Sequence, residues 1–93
     1  MARAIAVASG AGDVQAVTGS GTLVGYSVRE TAGSPAAATL TLRDGTSAAG
    51  APCVFISLAA STSLTAISPA LDFSLGLFVD RVTGTSEIAL YII

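Results

Sequence analysis

The 93-residue sequence has no histidine, no lysine and no tryptophan, and a single cysteine. A serine or cysteine nucleophile needs an imidazole or an amine to take its proton. Their absence excludes the familiar hydrolytic triads, together with lysine Schiff bases and histidine-ligated metal sites. The lone Cys53 excludes an internal disulfide framework. It heads an apolar stretch, where a small buried hydrophobe is the usual role of such a residue. Charge is scarce as well: 11% of residues are charged, against about 25% in ordinary globular chains. The four basic residues, Arg3, Arg29, Arg43 and Arg81, stand singly in a chain of net charge -2. Nucleic-acid binding leaves a clustered basic footprint, so no nucleic acid is expected as a partner. No apolar run approaches the roughly 20 residues of a membrane helix, and no membrane partner is expected. The opening MARAIAVASG superficially resembles a short signal peptide, but its apolar region is weak and interrupted, and it reads as an arm or strand of the mature chain.

What the sequence does contain is short alternating runs. In Thr22–Thr31, Val24, Tyr26 and Val28 share one side, and Leu23, Gly25, Ser27 and Arg29 the other. Ala36–Arg43 alternates most cleanly, with Ala38, Leu40 and Leu42 on a core side and Ala37, Thr39, Thr41 and Arg43 on a polar one. Cys53–Ala60 puts Val54, Ile56 and Leu58 on one side and Phe55 opposite them, which predicts a central or interfacial strand. Leu64–Ile67 is a short strand, and Ser68-Pro69-Ala70-Leu71-Asp72 a crossing rather than a central strand. Turn residues recur every 8–12 positions or so, and helix signals are nearly absent. The predicted fold is all-β: a small antiparallel β-sandwich or jelly-roll-like barrel of about seven short strands. Residues 1–13 read as a flexible N-terminal arm or edge strand, and 14–93 as a single β-sandwich domain.

The acids, Asp13, Glu30, Asp44, Asp72, Asp80 and Glu87, mostly sit beside turn residues, where solvation or Asx turns account for them. A glycosidase pair would need two carboxyls facing each other across a sugar, and such sites usually carry stacking aromatics, which make up only 5% of this chain. A calcium loop needs several converging oxygens, and no D-x-D-type loop is present. Gly19-Ser20-Gly21 lacks the lysine and the following helix of a phosphate loop. The chain is therefore expected to be non-enzymatic and to use no cofactor and no metal.

The remaining feature is the stretch Phe73–Ile93, FSLGLFVDRVTGTSEIALYII. Two apolar runs flank Thr83-Gly84-Thr85, the pattern of a β-hairpin, and the run ending Leu90-Tyr91-Ile92-Ile93 is expected to be packed in a sheet. Leu75, Leu77 and Val79 would face a core with Ile88, Leu90 and Ile92. The opposite sides carry Phe78, Val82, Ala89, Tyr91 and Ile93, whereas a sheet with one wet side normally alternates apolar and polar. Phe78, Val82, Tyr91 and Ile93 are therefore the candidate subunit interface, and a homo-oligomer is expected.

The strings TLVGYSVRETAGSPAAATLTLRDGT (Thr22–Thr46) and SPALDFSLGLFVDRVTG (Ser68–Gly84) resemble small β-sandwich virion structural proteins of tailed bacteriophages, of the capsid decoration or cement type. The shared pattern is one of strands and turns and carries no catalytic residue. The resemblance implies a trimer that bridges capsomers, with the major capsid or another virion protein as partner and the virion, assembled in the host cytoplasm, as its location. A small tail or fibre subunit, or a receptor- or carbohydrate-binding module, is the alternative.

Overall fold

In a computed structural model, residues 2–67 and 70–93 are described. They form eight strands: β1 (Arg3–Gly10), β2 (Val14–Thr18), β3 (Gly21–Glu30), β4 (Ala38–Asp44), β5 (Ala51–Leu58), β6 (Ser63–Phe73), β7 (Gly76–Thr83) and β8 (Ser86–Ile92). Two four-stranded sheets have the orders β1-β8-β3-β6 and β2-β7-β4-β5, and every paired neighbour is antiparallel. The all-β sandwich expected from the sequence is thus the observed architecture. Its connectivity is that of a long hairpin, β1 with β8, β2 with β7, β3 with β6 and β4 with β5. That hairpin is rolled up so that β3 also meets β8 and β4 also meets β7. This is the eight-stranded jelly roll. Only the β4–β5 connection stays within one sheet, and every other link crosses to the opposite sheet.

The expected C-terminal hairpin is therefore not one. β7 and β8 belong to different sheets, and the residues between them form an arch over one end of the sandwich. Leu77 and Val79 enter the core from one sheet and Ile88, Leu90 and Ile92 from the other, all 3% exposed or less. Both arrangements bury the same residues, so alternation alone does not separate a hairpin from an arch. Leu75, expected in this core, lies in the β6–β7 turn and is exposed.

The strands follow their side-chain periods except at bulges. In β4, Ala38, Leu40 and Leu42 point inward as the alternation predicts. In β3, Leu23 pairs with Ile92 and Gly25 with Tyr91, which leaves Val24 as an extra residue. The bulge reverses the expected phase ahead of it, so Leu23 is buried with Tyr26 and Val28, and Val24 is not. β5 is an edge strand and not a central one: Ile56 and Leu58 fill the core while Phe55 points outward. Within the N-terminal segment, Arg3–Gly10 is an edge strand on β8 with Val7 buried, and Met1 lies outside the described residues. Of the crossing expected over Ser68–Asp72, Ser68 and Pro69 also lie outside them, whereas Ala70, Leu71 and Asp72 belong to the edge strand β6. On either side, 63–67 and 71–73 pair with β3.

The arch depends on Gly84, whose φ is 75°. A Cβ there would stand 2.6 Å from the Ala37 carbonyl oxygen and 2.8 Å from Ala38 Cα. Gly84→Ala is expected to destabilise the fold by about 1–3 kcal/mol from the strained backbone conformation, with the clash adding to it. Urea denaturation checks this, and an unchanged midpoint would mean that the arch does not need the left-handed conformation.

Candidate functional site

Each sheet turns one face to the core and one outward. On the outer face of the first sheet, cross-strand register gives the row Ala4, Tyr91, Gly25, Ile67, and beside it Ala6, Ala89, Ser27, Thr65. Tyr91 lies against Gly25: a Cβ on Gly25 would be 3.1 Å from the Tyr91 ring and 3.4 Å from Ile67 Cδ1. The glycine lets the two apolar side chains close over the sheet. The next row holds Arg29 and Glu87, an exposed ion pair at 2.5 Å. Between these rows lies a broad, shallow depression of about 680 Å³ floored by Ala6, Ala89 and Ser27. Its volume falls within the range of ligand sites. Its floor is small and uncharged, however, and no buried polar group converges on it.

The second sheet's outer face carries Phe55, 75% exposed, in register with Thr41, and Thr41 in turn with Asp80. Arg43 donates to Asp80 at 3.0 Å and to the Gly50 carbonyl at 3.0 Å, and the Thr39 and Thr83 hydroxyls bond at 2.7 Å. The predicted interface residues divide between these two faces. Phe78 and Val82 lie on β7 in the second sheet, Val82 at a bulge and 59% exposed. Tyr91 and Ile93 belong to the first-sheet side, and the Ile93 amide donates to the Thr22 carbonyl at 2.9 Å. Phe78 and Val82 thus share one sheet and Tyr91 and Ile93 the other side, with a sheet-to-sheet spacing of about 10 Å between them. Sequence reasoning passed over Ile67, 82% exposed, because only the β3–β6 register shows that it shares a face with Tyr91.

All six acids are engaged. Glu87 and Asp80 pair with arginines, and Asp72 accepts from the Thr22 hydroxyl at 2.7 Å. Glu30 accepts from the backbone N–H groups of Ser61 at 2.8 Å and Ala32 at 2.5 Å, and these amides, Ser61 foremost, hold its pKa below the ordinary 4.5. Asp44 accepts from Leu75 at 2.9 Å and Ser74 at 3.0 Å, with its pKa likewise held below 3.8. Asp13 accepts from the Arg81 amide at 2.9 Å. Glu30 and Asp44 thus hold turn amides, while Asp72, Asp80 and Glu87 make cross-strand contacts on the sheet faces. Among the described residues no group of three or more Cys, Asp or Glu side chains is placed to hold a metal ion.

Arg81 is the one basic side chain turned inward, 7% exposed. Its Nη1 donates to the Gly12 carbonyl at 2.9 Å, and its Nη2 to those of Ala8 at 2.7 Å and Ser86 at 3.0 Å. From β7 it thereby ties β1, the β1–β2 turn and the start of β8. Burial pulls its pKa down, opposed by Asp13, and the guanidinium stays charged at neutral pH. Three carbonyls depend on it, so Arg81→Met is expected to cost on the order of 3 kcal/mol. Arg81→Lys should recover only part of that loss, because an ammonium cannot span the three acceptors. Equilibrium urea denaturation of both variants checks this, and a methionine variant as stable as the parent would contradict the role. No protein-family description, curated protein or solved structure matches this chain.

Proposed function

We propose that this protein is a non-enzymatic structural subunit of a tailed-phage virion, a decoration or cement protein that binds the shell through the outer faces of its sandwich. The observation that carries the reading is how little unpaired charge the two faces hold. Each holds one ion pair, Arg29 with Glu87 and Arg43 with Asp80, and the first adds Asp72, bonded by the Thr22 hydroxyl; around them stand Ala, Ser, Thr and the exposed apolar residues Phe55, Ile67 and Val82. Covering such a face strips water from few unpaired charges, and alanine loses no side-chain rotamer freedom on contact. Scattered apolar side chains are ordinary, but rows of them on sheet faces suit protein contacts.

The resemblance of Thr22–Thr46 and Ser68–Gly84 to phage decoration proteins supports the same role. The jelly roll recurs in viral capsid domains, which supports it at the level of fold analogy only. Each copy makes modest contacts, and a closed oligomer, a trimer in this reading, multiplies them through avidity on the lattice. The partners are a second copy of the chain and the major capsid or another virion protein.

Phe55→Glu and Ile67→Glu test the proposal, because both positions are exposed and the variants are expected to fold with stability within about 0.5 kcal/mol of the parent. Occupancy on purified particles, imaged by electron microscopy and quantified by densitometry, is expected to fall in at least one of them. Absence of the parent protein from the particle, or full occupancy of both variants, would count against the reading.

A further inference from the structure

β6 is a long edge strand with little of its own surface in the core. It lies at a sheet edge and pairs with β3 alone. Of its described residues only Phe73 is buried; Ile67 is 82% exposed. Leu64 and Leu71 remain 40% and 36% exposed even though they register with the core residues Val28 and Leu23. The neighbouring edge strand β5 sinks both Ile56 and Leu58 into the core. Local opening is easiest where little apolar surface is lost, and β6 meets that condition where β5 does not.

Its two ends are nevertheless held, and in the same way. Glu30, from the end of β3 and 9% exposed, accepts from the Ser61 amide just ahead of β6. Ser61 sits at φ 58°, a left-handed conformation unusual for serine, so the contact fixes a backbone that would not favour this shape by itself. Asp44, from the end of β4, accepts from the amides of Ser74 and Leu75 just beyond β6. Among the described residues the remaining side-chain ties to β3 are neutral or single: Ser27 with Thr65 at 3.0 Å, and Thr22 donating to Asp72 at 2.7 Å. We infer that β6 is a releasable edge strand latched at both ends by the Glu30 and Asp44 carboxylates, so that protonating this pair frees it while the other strands stay paired.

The charged groups nearby do not substitute for the latches. Arg29, next to Glu30, is committed to Glu87 on the outer face, and Arg43, next to Asp44, to Asp80. Asp72 is engaged by Thr22. Backbone amides are thus what hold both latch carboxylates in the ionised form. The sign follows from that. With β6 released, the two groups take up protons near their ordinary values of 4.5 and 3.8; with β6 docked, only at lower pH. The latches are at full strength above about pH 4.5 and fail as pH falls through the lowered values. A protonated carboxyl still accepts, but without the charge that strengthens the bond.

Hydrogen exchange read by mass spectrometry on the full chain tests this, with Glu30→Gln and Asp44→Asn standing for the protonated forms at neutral pH. In the double variant, peptides covering β6 are expected to exchange about tenfold faster, while those covering β4, β7 and β8 keep their protection; each single variant should fall between. Unchanged protection of β6, or equal acceleration of every strand, overturns the inference. Should the double variant not fold, the parent compared at neutral pH and about pH 3.5, with rates corrected for intrinsic chemistry, decides the matter. Selective loss at β6 supports the latch, and simultaneous loss in all strands overturns it.

Discussion

The apolar layer between the two sheets sets the terms for everything else in the molecule. Leu23, Val28, Ile88 and Leu90 enter it from one side and Leu40, Leu42, Leu77 and Val79 from the other, all at most 2% exposed. Each such side chain contributes about 1.5–3 kcal/mol when fully buried, enough in sum to offset the ordering of a chain whose strand partners are far apart in sequence. Because β1 pairs with β8 and β2 with β7, nearly the whole chain must be gathered before its outer strands gain their bonds. The β4–β5 connection, the only one that joins neighbours within a sheet, is the local point from which that gathering can start.

A sandwich closed by links that cross between sheets has a difficulty at its two ends, where backbone groups leave the ladders. Charged side chains meet it. At one end Arg81 collects the carbonyls of Ala8, Gly12 and Ser86, and Glu30 receives the amides of Ala32 and Ser61. At the other, Asp44 receives those of Ser74 and Leu75, while the Gln15 amide donates to the carbonyls of Val17, at 2.7 Å, and Gly45, at 3.1 Å. A hydrogen bond to a charged group is stronger than a neutral one. The chain thus spends much of its small stock of charge on turns, and its sheet faces are left with little unpaired charge.

That distribution connects fold to role. Arg29 and Arg43 are each paired with an acid on the same face, so neither face presents a cluster of unpaired basic side chains. What it offers is area: alanine, serine and threonine with Tyr91 and Ile67 on one side, Phe55 and Phe78 on the other. In the proposed role, it is this area that would meet other proteins.

The class of fold was legible in the sequence because period-two alternation and regularly spaced turn residues are local properties. Ala38, Leu40 and Leu42 were identified as core from alternation alone. Several local patterns did not carry that far. Val24 and Leu23 exchanged roles because a bulge shifts the phase, and a bulge is set by the partner strand. Phe78 and Tyr91, placed together by a hairpin reading of Thr83-Gly84-Thr85, ended on opposite outer faces because a short link can close a hairpin or arch between sheets with the same alternation on either side. The sequence by itself determined that strands form and which of most strands' sides are apolar. Only the tertiary structure decided which strands are neighbours, and with that which exposed residues share a surface, because pairing partners such as β1 and β8 are chosen by burial across the whole chain.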